Sequence, residues 1–240
     1  MEMQVKELKN YGVEMNLMFQ KVLQNHPEVV KGAKNTAASI IRKRIGVLKM
    51  LCMFVYLKKE SKRIGQIHFP MRGQLERETA EMLQKSFSGK AAFFCALAKV
   101  TDNSKAMEIM KEIADATAYP SAMTELPQPK EFAACGDGFS AFQEYILEMF
   151  RASKKAGIHD YVIHENTEDC LEFDITYCAI YEYMRKIAPK EACMANCYGD
   201  DILFPKLCPQ VGACFKRKGN MADGFKCCNT RYERMEKKHE

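Results

Sequence analysis

The sequence predicts an α+β protein in which a helical N-terminal layer packs on a small, mainly antiparallel sheet formed by the C-terminal part. Three observations predict this. Apolar residues recur at helical spacing up to residue 155, the period falls to two after Gly157, and the cysteines are unevenly placed. Of 11 cysteines, Cys52, Cys95 and Cys135 are scattered, whereas Cys170, Cys178, Cys193, Cys197, Cys208, Cys214, Cys227 and Cys228 fall in the last third. The chain therefore divides into a helical part, 1–157, and a cysteine-rich α+β part, 158–240, expected to pack together as one domain. Its 240 residues, 47% hydrophobic and 28% charged, suffice for a sizeable core and exclude disordered, collagen-like and coiled-coil classes.

Val5, Leu8, Val13, Met15, Leu17, Met18, Val22 and Leu23 predict a first helix over 5–23. Asn25-His26-Pro27 breaks it, and Pro27 suits the first turn of a second helix that runs through Ile41 and, after a bend, to Tyr56. Three further helices are expected over 73–87, 91–100 and 104–116. Pro120, Pro127, Pro129 and Gly136-Asp137-Gly138 predict a long irregular connection, followed by an amphipathic helix over 139–155.

Residues 161–165 and 171–177 flank Asn166-Thr167-Glu168-Asp169 as an antiparallel hairpin. Strict alternation sends Leu171, Phe173, Ile175 and Tyr177 toward the helices. Cys170, Glu172, Asp174, Thr176 and Cys178 then fall on the opposite face, which is expected to border the main pocket. Helices over 179–187, stopping before Pro189, and 191–198 follow. Residues 213–217 and 225–232, separated by Gly219-Asn220 and Asp223-Gly224, complete a second hairpin.

The longest apolar run, 50–57, is far below the roughly 18 residues of a membrane span, and Met-Glu-Met-Gln-Val-Lys-Glu has no signal-peptide character. A cytoplasmic protein that binds no membrane is the expectation. The net charge of +5 is mild and interleaved, as in Lys58-Lys59-Glu60-Ser61-Lys62-Arg63, so no nucleic-acid footprint is present. An odd cysteine count without an export signal implies mostly free thiols.

Nucleophile elbows, phosphate loops, dinucleotide fingerprints and His-Glu-x-x-His are absent. Cys193-x3-Cys197 places two thiols on one helix face, which zinc accepts, but no Cys-x2-Cys or short His pair completes a ligand set. What remains are polar groups tied to turns: Cys178 at a strand-to-helix corner, Cys197-Tyr198-Gly199-Asp200-Asp201, Arg217 at a strand end, and Cys228-Asn229-Thr230-Arg231. The thiols can serve as nucleophiles, metal ligands or proton carriers. Arg217 or Arg231 can clamp a carboxylate. Asp200 can equally be a helix or turn cap, and the arginines a solvated face.

The order Phe173 through Tyr177-Cys178, Cys197-x2-Asp200, a basic residue in the penultimate strand, Gly224 and Cys228-Asn229-x-Arg231-Tyr232 resembles the L-2-amino-thiazoline-4-carboxylic acid hydrolase family over 160–232. The resemblance implies hydrolytic opening of a cyclic isothiourea to an N-carbamoyl cysteine, in amino-acid metabolism of the bacterial type. It needs an activated water, a donor for the departing nitrogen and a cation for the substrate carboxylate. By matched position, Cys178, Cys197, Asp200, Cys228 and Asn229 are the candidate catalytic residues. Arg217 and Arg231 are the candidates for a small-molecule substrate bearing a carboxylate, and a divalent metal at the cysteine cluster is an open option. Asn229 stands where the family motif has aspartate, which keeps a hydrogen-bonding group but removes a charge and a general base. Two alternatives stay open: a non-catalytic ligand-binding or thiol redox-sensing protein of the same fold, and a structural metal-binding module.

Overall fold

Pro27 opens helix α1 (Pro27–Ile64), which bends where Gly46 takes φ 77° and ψ 167°. Only glycine adopts that backbone readily, so the expected bend is fixed by one residue. The computed structural model describes residues 27–70, 75–124 and 126–236. The helix expected over 5–23 lies outside them, as do Gly73 and Gln74.

Helix α2 (Arg77–Val100) joins two segments expected to be separate. A glycine inside a helix costs only about 1 kcal/mol. Burial of Phe87, Ala91, Ala92 and Phe94 on either side of Gly89 exceeds that. Helix α3 (Asn103–Ala122) begins where the Asp102 carboxylate accepts the Lys105 amide at 2.8 Å, and it runs past the expected end to include Pro120. The irregular connection contains one short helix, α4 (Pro129–Ala133), closed by the Gln128 amide donating to Glu131. Helix α5 (Gly138–Ala156) starts on the Asp137 carboxylate. It ends with Gly157 at φ 76°, where the Ile158 and Gly157 amides return to Ser153 and Lys154, both at 2.9 Å.

Strands β1 (His159–Asn166) and β2 (Cys170–Cys178) form the expected hairpin. Helix α6 (Ala179–Ile187) has the expected ends, and its first turn is capped by the Cys178 sulfur, which accepts the Tyr181 amide at 3.4 Å. Helix α7 (Lys190–Leu207) continues well past Tyr198. Strands β3 (Ala213–Lys216) and β4 (Cys228–Arg234) follow, joined through a 3-10 turn at Met221–Asp223; the last strand begins at Cys228, three residues after the expected start. All neighbours are antiparallel and the order is β1-β2-β4-β3. The fold is α+β, helical first and sheet last.

Two bulges interrupt the β1–β2 ladder. Asp160 pairs with Tyr177 and Tyr161 with Ile175, which leaves Thr176 without a partner; Ile163 pairs with Phe173 and Glu165 with Glu172, which leaves out His164. A bulge re-aims the side chains beside it. Two apolar clusters result. Helices α1, α2, α3 and α6 bury Phe94, Leu97, Ile109 and Tyr183, whereas α5 and the sheet bury Phe142, Tyr145, Phe173 and Tyr232. Helix α7 contributes to both, with Cys193 and Ala195 in the first and Leu207 in the second. Its middle turns therefore lie at their junction. No helix among the described residues is long and apolar enough to cross a membrane.

Candidate active site

Three thiols from three elements meet at that junction. Cys178 ends β2, Cys197 stands on α7, and Cys228 begins β4 in the same inward phase as the buried Thr230 and Tyr232. Cys178 interacts electrostatically with both other thiols, and Cys228 with Cys197, Arg217 and Asp200. The expectation that Cys178 lies opposite Phe173 is thus corrected. The bulge at Thr176 shifts the alternation by one residue and turns Cys178 to the helix side.

Burial keeps this cluster protonated. It pushes the Cys178 thiol up to about 12 and the Cys228 thiol up to about 11, although the Met221 amide at 3.3 Å favours the Cys228 thiolate. The Cys197 thiol is driven up chiefly by its hydrogen bond to Cys193, and then by burial. Cys193 itself is buried in the helical core. At neutral pH the three thiols are hydrogen-bond donors and weak acids, not thiolates.

Arg217 supplies the positive charge. Its Nη2 meets Asp200 and its Nη1 meets Asp201, each at 3.0 Å, and its side chain is 9% exposed while Asp200 is 50% exposed. Burial alone would lower the guanidinium, but the two carboxylates outweigh it and hold it charged. Burial also raises Asp201 despite the arginine. The Arg217 Nε is buried with no hydrogen-bond partner among the described residues. Such a donor costs about 1–3 kcal/mol unless something accepts from it.

The other face of the sheet holds a different set. His164, the bulged residue of β1, brings Nε2 to 2.9 Å from Asp174 Oδ2. Asn229 donates to Asp174 at 2.9 Å and to Glu172 at 3.2 Å. Arg231 bonds Glu165 at 2.8 Å, Glu233 at 2.6 Å and also Glu172. Hydrogen bonds from Arg231 and Asn229 hold the Glu172 carboxyl below its usual range. For Asp174, burial pulls upward, but Asn229, His164 and Cys227 together hold it down. His164, Glu172, Asp174 and Asn229 border an open cavity of about 450 Å³.

The sequence-selected residues therefore separate. Cys178, Cys197, Asp200, Cys228 and Arg217 come together on the helix side, whereas Asn229 and Arg231 lie on the outer face. Alternation along β4 forces that separation, since 228, 230 and 232 point one way and 229 and 231 the other. Asp201, the second partner of Arg217, and His164 were not selected. The acidic pair Asp200-Asp201 is a sequence signal for the first; a bulge leaves none for the second. Among the described residues, no group of three or more His, Cys, Asp or Glu side chains is arranged to hold a metal ion. All 11 cysteines are free thiols.

Residues 80–232 match the family model described as L-2-amino-thiazoline-4-carboxylic acid hydrolase. Comparisons with curated proteins and with solved structures return no match.

Proposed function

The chain belongs to the L-2-amino-thiazoline-4-carboxylic acid hydrolase family, and from that premise we propose that it hydrolyses a cyclic isothiourea acid of the 2-amino-thiazoline-4-carboxylate type at the helix-side cluster. The observation that carries this reading is Arg217, a buried cation with one unused donor set among three protonated thiols. Its Nε–H donates to the substrate carboxylate, which satisfies the unmet donor and orients the ring.

Water adds to the ring carbon bonded to sulfur and two nitrogens. Asp200, half-exposed and so within reach of solvent, takes the proton from that water. The carbon–sulfur bond then breaks as the added oxygen becomes the carbamoyl carbonyl; that proton passes to the departing sulfur, and the water's second proton ends on the former ring nitrogen as the N–H of the product. Sulfur is the leaving atom, not nitrogen as the sequence reading had it, because both nitrogens remain on the carbamoyl carbon of N-carbamoyl cysteine. Cys178, Cys197 and Cys228, the three protonated thiols of the cluster, donate hydrogen bonds to that sulfur as its negative charge develops. Asn229 has no place in these steps, so the exchange of the family aspartate for asparagine leaves the cluster intact.

The test is incubation of the purified chain with the thiazoline acid, following loss of ring absorbance together with appearance of one free thiol per turnover. Loss of both signals in Arg217→Lys, with the fold retained, supports the reading. A chain that leaves the thiazoline acid unchanged contradicts it.

A further inference from the structure

The outer cavity carries chemistry that the ring-opening steps do not use. Four carboxylates, Glu165, Glu172, Asp174 and Glu233, share this face with three permanent cations, Lys216, Lys218 and Arg231. The cations are not evenly distributed. Arg231 meets Glu165, Glu172 and Glu233, Lys216 meets Glu233, and Lys218 approaches Glu172 at 3.8 Å. Among the described residues, no lysine or arginine forms an ion pair with Asp174. Its partners are the Asn229 amide, the Cys227 thiol and His164. The cavity thus contains one carboxylate whose charge no permanent cation balances.

An aromatic ring stands at the same cavity. Phe225 is 54% exposed, and it lines the cavity together with Asp174 and His164. Its position depends on Gly219, where a Cβ would lie 2.5 Å from the ring. The glycine lets the ring lie against the backbone, so an exposed aromatic face is held in place. A fixed aromatic face beside an unbalanced carboxylate is the arrangement that attracts an organic cation.

We propose that this cavity is a second ligand site, separate from the thiol cluster, which binds a small planar organic cation of the amidinium or guanidinium class. The cation's N–H groups pair with Asp174 while its plane lies against Phe225. His164, placed by the β1 bulge, orients the carboxylate, and Asn229 fixes it from the other side. The inference is independent of the ring-opening reading, since it assigns no step to this face.

Benzamidine, which joins an amidinium to a flat ring, is the probe, and neutral benzamide is its isosteric control. Titration of the full chain, followed by calorimetry or by amide shifts of 164, 174, 225 and 229, is expected to show benzamidine binding and no benzamide binding. Asp174→Asn is expected to weaken binding about tenfold or more, and Phe225→Ala about three- to fivefold. Phe225 is exposed, so its variant folds normally, and Cys197→Ala should bind as the parent does. Absence of benzamidine binding, equal binding of benzamide, or unchanged binding by Asp174→Asn would overturn the proposal. Competition by the thiazoline acid, with turnover lost in Phe225→Ala, would also overturn it, since the cavity would then be the ring-opening site and not a second one.

Discussion

Cys228 and Asn229 are neighbours in the chain and belong to two different environments. Cys228 points toward the helices, where burial keeps it and two other thiols protonated around a guanidinium screened from water. Asn229 points outward, where hydrogen bonds hold the Glu172 and Asp174 carboxyls ionised beside an open cavity. One sheet thus separates protonated thiols around an arginine–carboxylate cluster from a set of anions. Burial on one side and hydrogen bonds on the other push each group further toward the protonation state that its residue type already favours at neutral pH.

The largest effect that can sharpen this comparison is expected at the two arginines. Arg217→Met leaves Asp200 and Asp201 without their cation in a partly buried setting, and should lower stability by about 3 kcal/mol and abolish turnover. Arg231→Met removes a water-screened network and should shift the urea midpoint far less. Similar midpoints for the two variants would break the contrast.

A pH effect of comparable ceiling is expected at His159 in β1. His159 faces Ser153 at 2.6 Å and the Phe150 ring, and burial lowers it from 6.5 to about 4. Because the unfolded chain binds this proton first, its contribution is complete above pH 6.5 and is lost as pH falls toward 4. The cost is at most about 3 kcal/mol. Denaturation at pH 7 and pH 4.5 should show that loss in the parent and a reduced loss in His159→Gln.

Cys193→Ala should destabilise by about 1–2 kcal/mol, through the loss of a buried thiol, and keep turnover within a few-fold of the parent. Cys197→Ala should cost similar stability and lose turnover, which thermal melts beside kinetics can verify. The smallest effect is expected for Asn229→Asp. It sets a third carboxylate against Glu172 and Asp174, costs about 1 kcal/mol or less, and leaves turnover unchanged. A gain in turnover would connect the two faces and break the comparison.

Much of the fold was legible because its signals are local. The change of period at Gly157 marks where helix gives way to strand, and α6 has its expected ends because Cys178 caps one and Pro189 limits the other. The merging of α2 across Gly89 was not legible, since burial of Phe87 and Phe94 is a tertiary fact. At the site, alternation along β4 already separates Cys228 from Asn229, whereas matching residues by their order in the chain groups them together. Side-chain direction after a bulge is the part that no spacing carries. Thr176 and His164 each add one residue to a ladder, and Cys178 and His164 acquire their partners through that addition.

The central claim is that the ring-opening chemistry belongs to the helix side of the sheet. Its most direct test is kcat/KM on the thiazoline acid for Cys197→Ala and Asp174→Asn, measured side by side on folded protein. The account predicts a loss of about 100-fold or more in Cys197→Ala and less than about threefold in Asp174→Asn. Full activity in a folded Cys197→Ala, with turnover lost in Asp174→Asn, would contradict it.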